Sequence, residues 1–295
     1  MLRVGTLFSG IETPILALER MGIPFEHAYS CEIDRSCRLV IAARFAPLAL
    51  FGDIEKVDAK LFPDADLVIA GIPCQSFSQA GYHQGFKDAR GNLFWSFAKV
   101  LDAKRPKVFV LENVKSLLSH DGGGTFSAMT REFERLGYAA QHRLLDSSQH
   151  GVPQMRQRVY VVGYRAGDPD AALFGFPAPV PLRTTLDKVM GGKVSRALGF
   201  TLRVGGRGSG IGNRHNWDEY QVDGKARPLS VREACLLQGI PGDFYGRLGV
   251  AIPDREAFKQ IGNSMTVDVV GAVIGSVVFG GKRLSDGTTE KKTSK

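Results

Sequence analysis

Short apolar runs alternate with helical patterns through the first 165 residues, and this constrains the chain more than any other feature. Residues 3–8, 27–31, 66–71 and 107–111 are rich in Val, Ile, Leu and Phe and read as strands. Residues 14–21, 35–45, 93–104 and 125–136 carry apolar side chains at helical spacing. Residues 139–145 and 159–164 read as two further strands. A βα unit recurring roughly every 25 residues predicts an α/β fold with a parallel, doubly wound sheet. The pattern stops near Pro177-Ala178-Pro179-Val180-Pro181, and a Gly- and Arg-rich stretch follows, GGKVSRALGFTLRVGGRGSGIGNRHNW. At 295 residues the chain has room for one large domain and a small second one. The expected division is a sheet domain at 1–178, a compact region at 179–254, a helix over 255–280 returning to the sheet, and a disordered basic tail at 281–295.

Composition narrows the function. Lys and Arg outnumber Asp and Glu 38 to 30, a net charge of +8. Eleven Lys/Arg and six Asp/Glu fall in 181–250, and five and two in 281–295, so the whole excess lies outside the expected sheet. That places a polyanion-facing surface in the small region. Glycine is enriched, 35 residues against the roughly 7% of average usage, which implies many tight turns. Four cysteines without a C-x-x-C pair do not build a disulfide framework or a metal site, and the six histidines lack metal-binding spacing, so no metal is expected. The N-terminus carries no signal-peptide cleavage pattern. The apolar run 267–279 is short for a bilayer and interrupted by Asp268, so it reads as a buried helix. A cytoplasmic monomer without membrane contact is the expectation.

In an open parallel sheet, ligands bind beyond the carboxyl ends of the strands. The residues there are Phe8-Ser9-Gly10-Ile11-Glu12 after the first strand and Glu32-Ile33 after the second. Gly52-Asp53-Ile54 follow in the third unit, Gly71-Ile72-Pro73-Cys74-Gln75-Ser76-Phe77-Ser78 after the next strand, and Glu112-Asn113-Val114 after the fifth. Gln154-Met155-Arg156-Gln157-Arg158 precede the last, and Gly262-Asn263-Ser264 come late in the chain. No G-x-G-x-x-G follows the first strand, which argues against a nicotinamide cofactor.

The P-C-Q, E-N-V, Q-x-R-x-R and G-N-S motifs, in this order and spacing, resemble the cytosine-C5 DNA methyltransferase family over about residues 1–280. The resemblance implies a Rossmann-like S-adenosylmethionine-dependent methyltransferase sheet with a small target-recognition domain. The implied substrate is double-stranded DNA, with a cytosine flipped out of the duplex.

The residue types suit that chemistry. Carbon 5 of cytosine is a poor nucleophile until a thiolate adds at C6, and Cys74 sits in a polar loop after a strand. Charge then develops on the ring, and Glu112 is placed to donate to N3. Asn113 would fix that loop. Arg156 and Arg158, two apart on an extended segment, share a face. The resemblance implies that Arg158 meets the cytosine O2 and Arg156 supports the site.

For S-adenosylmethionine the implied residues are Phe8, Gly10, Ile11, Glu12, Glu32, Ile33, Asp53, Ile54, Leu93, Asn263 and Ser264. Glu32 has the carboxylate expected on ribose hydroxyls. Glu12-Thr13 stand where the family usually has Gly-Gly, so Glu12 enters as a donor-site candidate in its own right.

The loop after Cys74 is implied to close over DNA, with Gln75, Ser78 and Arg90 as contacts. Arg203, Arg207 and Arg214, near Asn213, His215, Asn216 and Trp217, are of the types that read bases and grip phosphates. Ser230 and Glu233 form a capping-box pattern that predicts a helix start. The recognised sequence, a cognate restriction endonuclease and the base that removes the C5 proton stay open. So do two other readings: a tRNA cytosine-C5 methyltransferase, and a catalytically silent DNA-binding member of the fold.

Overall fold

Strands buried on both faces need near-continuous apolar runs, and the central strands here have them. β1 (Leu2–Leu7), β2 (Phe25–Cys31), β3 (Ala49–Phe51), β4 (Leu67–Gly71), β5 (Val108–Val114), β6 (Tyr138–Asp146) and β7 (Gln157–Arg165) form one sheet in the order β3-β2-β1-β4-β5-β7-β6. The structure is a computed structural model that describes residues 1–73, 93–204 and 208–280. Cys74, Gln75, Ser78, Arg90, Arg207 and the tail at 281–295 lie outside the described residues.

The doubly wound sheet expected from the βα repeat is present, with one correction. β7 runs antiparallel between β5 and β6, so the sheet is mixed. Parallel neighbours need a crossover, usually helical, whereas residues 147–156 between β6 and β7 hold only a short 3-10 turn.

β1 lies between β2 and β4, and the winding reverses there, which puts the end of β1 at the switch point of the sheet. On one face, Val4, Ile69, Val110 and Val162 pack under α1 (Thr13–Met21) and α9 (Val267–Phe279). Those two helices approach closely at Gly271, where a Cβ would stand 3.2 Å from Ala17 Cβ. On the other face, Leu7, Ala70, Leu111 and Val161 meet α3 (Leu93–Lys104) and α4 (Gly124–Arg135). Phe94, Phe97, Phe109 and Phe133 interlock there at ring separations of 4.7 to 6.3 Å. α2 (Arg35–Arg44) starts at Asp34, whose carboxylate accepts from the Ser36 and Cys37 N–H groups.

The small region contains α6 (Leu186–Met190), the hairpin β8 (Glu219–Val222) with β9 (Lys225–Pro228), and α7 (Val231–Leu237); α5 (Asp170–Leu173) precedes it. Its Leu202, Trp217, Tyr220, Leu229 and Leu237 belong to the same apolar cluster as the first sheet face. α7 begins with the capping box expected at Ser230 and Glu233, both bonds being present.

Where the sequence suggests one helix over 255–280, there are two, α8 (Asp254–Asn263) and α9, broken at residues 264–266. The break frees the carbonyls of Gly262 and Ser264 to accept side-chain hydrogen bonds.

Candidate functional site

The carboxyl ends of β1, β4 and β5 converge around one small residue. In the β4–β5 register Gly71 stands opposite Glu112. A Cβ built on Gly71 would lie 3.9 Å from the Phe8 carbonyl oxygen, 4.0 Å from Glu112 Oε2 and 3.1 Å from Met265 Cε. The loop after β1 and the acid at the end of β5 are therefore neighbours across a position with no side chain.

Glu112 is buried, and burial raises its pKa above the ordinary carboxylate value, with the charges of Arg158 and then Arg156 pulling the other way. Its Oε1 lies 3.2 Å from Arg158 Nε but makes no hydrogen bond. A carboxyl so placed is biased toward its protonated, donating form. Asn113 donates from Nδ2 to the Ile72 carbonyl at 3.0 Å and accepts from the Val114 N–H at 2.8 Å. It thus ties the end of β5 to the chain two residues before Cys74.

The loop after β1 turns through three left-handed residues, Phe8 at φ 55°, Gly10 at φ 55° and Glu12 at φ 58°. Only Gly10 adopts this without cost, and a Cβ there would meet nothing within 4 Å, so its outer side is open. Glu32 accepts from the Gly10 N–H on Oε2 and from the Asp34 N–H on Oε1, each at 2.8 Å. Each oxygen keeps a second lone pair for a ligand hydroxyl. Burial raises the Glu32 pKa, opposed by those two backbone hydrogen bonds. Ile33 beside it is 69% exposed and offers an apolar surface. Asp53 accepts from the Glu55 N–H at 3.1 Å, while Ile54 is buried beneath it. An open glycine, a carboxylate with spare acceptors and an exposed aliphatic face fit a nucleoside-bearing ligand such as S-adenosylmethionine.

Other expected donor residues lie differently. Ile11 and Glu12 are fully buried. Leu93 opens α3 and packs against the second apolar cluster. Asn263 is exposed at the end of α8, and the Ser264 hydroxyl donates inward to the Ile261 carbonyl at 2.8 Å.

Arg156 and Arg158 divide their work. Arg158 stands against Glu112. Arg156 is buried and donates to the carbonyls of Leu202 (3.2 Å), Gly262 (3.0 Å) and Ser264 (2.9 Å). Burial, and next the Arg158 charge, penalise the Arg156 cation, with Glu112 offsetting part of this. Two glutamines complete the hub. Gln154 donates to the Leu237 carbonyl (2.6 Å) and to Gln238 Oε1 (3.0 Å), and accepts from the Leu202 N–H (3.2 Å). Gln238 donates to the Ile261 and Ser264 carbonyls and accepts from Thr266, whose hydroxyl meets Ser147. Both amides are fully buried, and their partners lie far away in sequence, so these contacts leave no mark in periodicity.

In the small region Arg203 and Arg214 are exposed, and Arg214 Nε donates to His215 Nε2 at 3.0 Å. Two of their neighbours make local hydrogen bonds. Asn216 bonds both backbone groups of Glu219, and Asn213 accepts from the His215 N–H. Trp217 is buried in the core.

Comparison with known proteins gives a consistent picture. The profile of the C-5 cytosine-specific DNA methylase family matches residues 2–198 and 194–278. The type II methyltransferase M.NgoBI of Neisseria gonorrhoeae is 36% identical over 298 residues, covering 90% of each chain. M.DsaV of Dactylococcopsis salina, another type II methyltransferase, is 33% identical over 289 residues, covering 86% of this chain and 81% of that one. The crystal structure of a Spodoptera frugiperda DNMT2 mutant has the same fold, with a TM-score of 0.71 at 16% identity over 94% of this chain and 100% of that one.

Proposed function

The chain belongs to the C-5 cytosine-specific DNA methylase family and is a DNA cytosine-5 methyltransferase, and from that premise we propose a division of labour among its strand-end residues. The observation that carries it is the meeting of the loop after β1 with Glu112 across Gly71.

The family uses S-adenosylmethionine, which supplies an electrophilic methyl group on a sulfonium sulfur. In this chain Gly10 would give the donor room, Glu32 would accept from its ribose hydroxyls, Ile33 would lie against its adenine and Asp53 would accept from the adenine amino group. The target cytosine leaves the duplex and enters beside Glu112. The Cys74 thiolate forms a bond to C6, and Glu112 donates a proton or hydrogen bond to N3. Negative charge is thereby held off the ring nitrogen and C5 becomes nucleophilic enough to take a methyl group. Arg158 donates to the cytosine O2 and balances Glu112. Arg156 holds the segment that carries Arg158. Loss of the C5 proton to a base then lets the C6–sulfur bond break.

We place catalysis in residues 1–178 and target recognition in 179–254, with Arg203, Arg207 and Arg214 toward DNA and the loop bearing Gln75, Ser78 and Arg90 closing on it. The type II relatives support a modification role, and in this reading the chain works as a monomer in the cytoplasm of a bacterial or phage-infected cell, with or without a cognate restriction endonuclease.

The test is covalent trapping on a duplex with 5-fluorocytosine at the target position, in the presence of S-adenosylmethionine. Fluorine cannot leave as the proton does, so the C6–sulfur bond persists. A denaturation-resistant protein–DNA adduct is expected from the native chain and none from Cys74→Ala. An undiminished adduct with Cys74→Ala overturns the assignment.

A further inference from the structure

Glu12 is the least expected side chain in the loop after β1. It is a non-glycine residue at φ 58° and has no exposed surface. A left-handed conformation is costly for such a residue and persists only where the surroundings hold it. The surroundings here are polar. Thr6 Oγ1 and Ser30 Oγ donate to Glu12 Oε1 at 2.5 and 2.6 Å, and His27 Nε2 lies 3.5 Å from the same oxygen. Thr6 Oγ1 is also 2.8 Å from Ser9 Oγ, which accepts from the Cys31 N–H at 3.1 Å. Groups from β1, β2 and the loop itself thus converge on one buried carboxylate. Because Glu12 has no surface to offer, it cannot be the direct ligand contact that the sequence suggests.

Its effect reaches the ligand side through the backbone. The Glu12 N–H donates to the Ser9 carbonyl at 3.0 Å, and Gly10 between them donates to Glu32 Oε2. The loop is therefore gripped from below by Glu12 and from the side by Glu32. If the lower grip is released, residues 8–12 are free to rise, and the Gly10 N–H leaves the carboxylate it orients.

We propose that Glu12 is a positioning residue for the methyl donor: from beneath the loop it holds residues 8–12 on β1 and β2, and so keeps Glu32 oriented toward the donor's ribose. This rests on the reading that the donor binds at the end of β1.

The test is the dissociation constant of S-adenosylhomocysteine for the full chain without DNA, measured by titration calorimetry, with methyl transfer at saturating donor run alongside. Glu12→Ala should weaken binding about ten- to hundredfold, the equivalent of one lost charge-assisted hydrogen bond, and change kcat far less. Glu12→Gln keeps the Oε1 acceptor and should stay within about threefold of the native chain. Thr6→Val, which keeps side-chain shape and removes one donor to Glu12, should weaken binding several-fold and serves if Glu12→Ala does not fold. The double variant Glu12→Ala/Glu32→Ala should bind far better than the product of the single losses predicts, because both residues act through one contact.

Two results overturn the proposal while sparing the donor site: native binding by both Glu12→Ala and Thr6→Val, or a double variant whose losses multiply. Unchanged binding by Glu32→Ala instead overturns the donor site itself, and the proposal with it.

Discussion

Replacing Arg156 with Met should destabilise the protein more than any other single change near the site, and the expected size follows from its contacts. Three carbonyls lose a charge-assisted donor. Ser264 keeps the Gln238 amide at 3.1 Å, so the loss falls on Leu202 and Gly262. A buried acceptor left without its donor costs about 1–3 kcal/mol, giving about 2–6 kcal/mol for the pair. Against this, Met avoids the desolvation that penalises the buried cation, which brings the net to about 3 kcal/mol. For a chain of this size that corresponds to a fall in Tm of about 6–12 °C. Urea titration should show a lower midpoint at an unchanged slope. Arg156→Lys should lie between, since one ammonium cannot serve three carbonyls spread over residues 202–264. DNA affinity should fall as well, because Leu202 is the root of the segment bearing Arg203. A Tm for Arg156→Met within about 2 °C of the native value, or above it, would refute the reasoning.

Glu112→Gln should abolish turnover while making the fold more robust at neutral pH. Burial raises the Glu112 pKa, so its contribution to stability is complete in acid and is lost as pH rises through the folded-state value. The Gln variant escapes that loss, and thermal melts from pH 4 to 8 should show its advantage growing with pH; a gap that stays constant contradicts the assignment. Ser230→Ala removes the acceptor that caps the Glu233 N–H and should cost about 1 kcal/mol in a urea titration, with methyl transfer unchanged at permissive temperature. Gly262→Ala would place a Cβ 2.9 Å from the Arg203 carbonyl oxygen, a backbone atom that must move. The expected cost is about 1–3 kcal/mol, together with weaker DNA binding in a gel-shift titration.

The helices and six of the seven strands of the sheet were legible from their patterning, and α3 begins and ends where the pattern places it, whereas β3, three residues long, is too short to carry a pattern. Direction was not legible from the strands alone. The antiparallel setting of β7 shows only in the helix-free connection before it, a signal present in the sequence at 147–156. The hairpin of β8 and β9 also left a signal: Asp223-Gly224, both at positive φ, is the tight-turn pair that joins two short strands. Glu112, Asn113 and Glu32 became candidates because strand ends are where an open sheet binds ligands. Glu12 stood out as a departure from the family motif and Arg156 as a motif member, but their inward roles depend on partners far away in sequence, such as Ser30 for the first and Leu202 and Gly262 for the second. Asn216 and Trp217, both buried, show a related difficulty. The residue types that read DNA also build turns and cores, and composition does not separate the two uses.

The most direct measurement is transfer of a radiolabelled methyl group from S-adenosylmethionine to duplex DNA and to tRNA in parallel, followed by nuclease digestion and nucleoside chromatography. The account predicts label in 5-methylcytosine from the duplex alone, confined to one sequence context, and lost in both Cys74→Ala and Glu112→Gln. Label in tRNA, label on another base, or full transfer by either variant would contradict it.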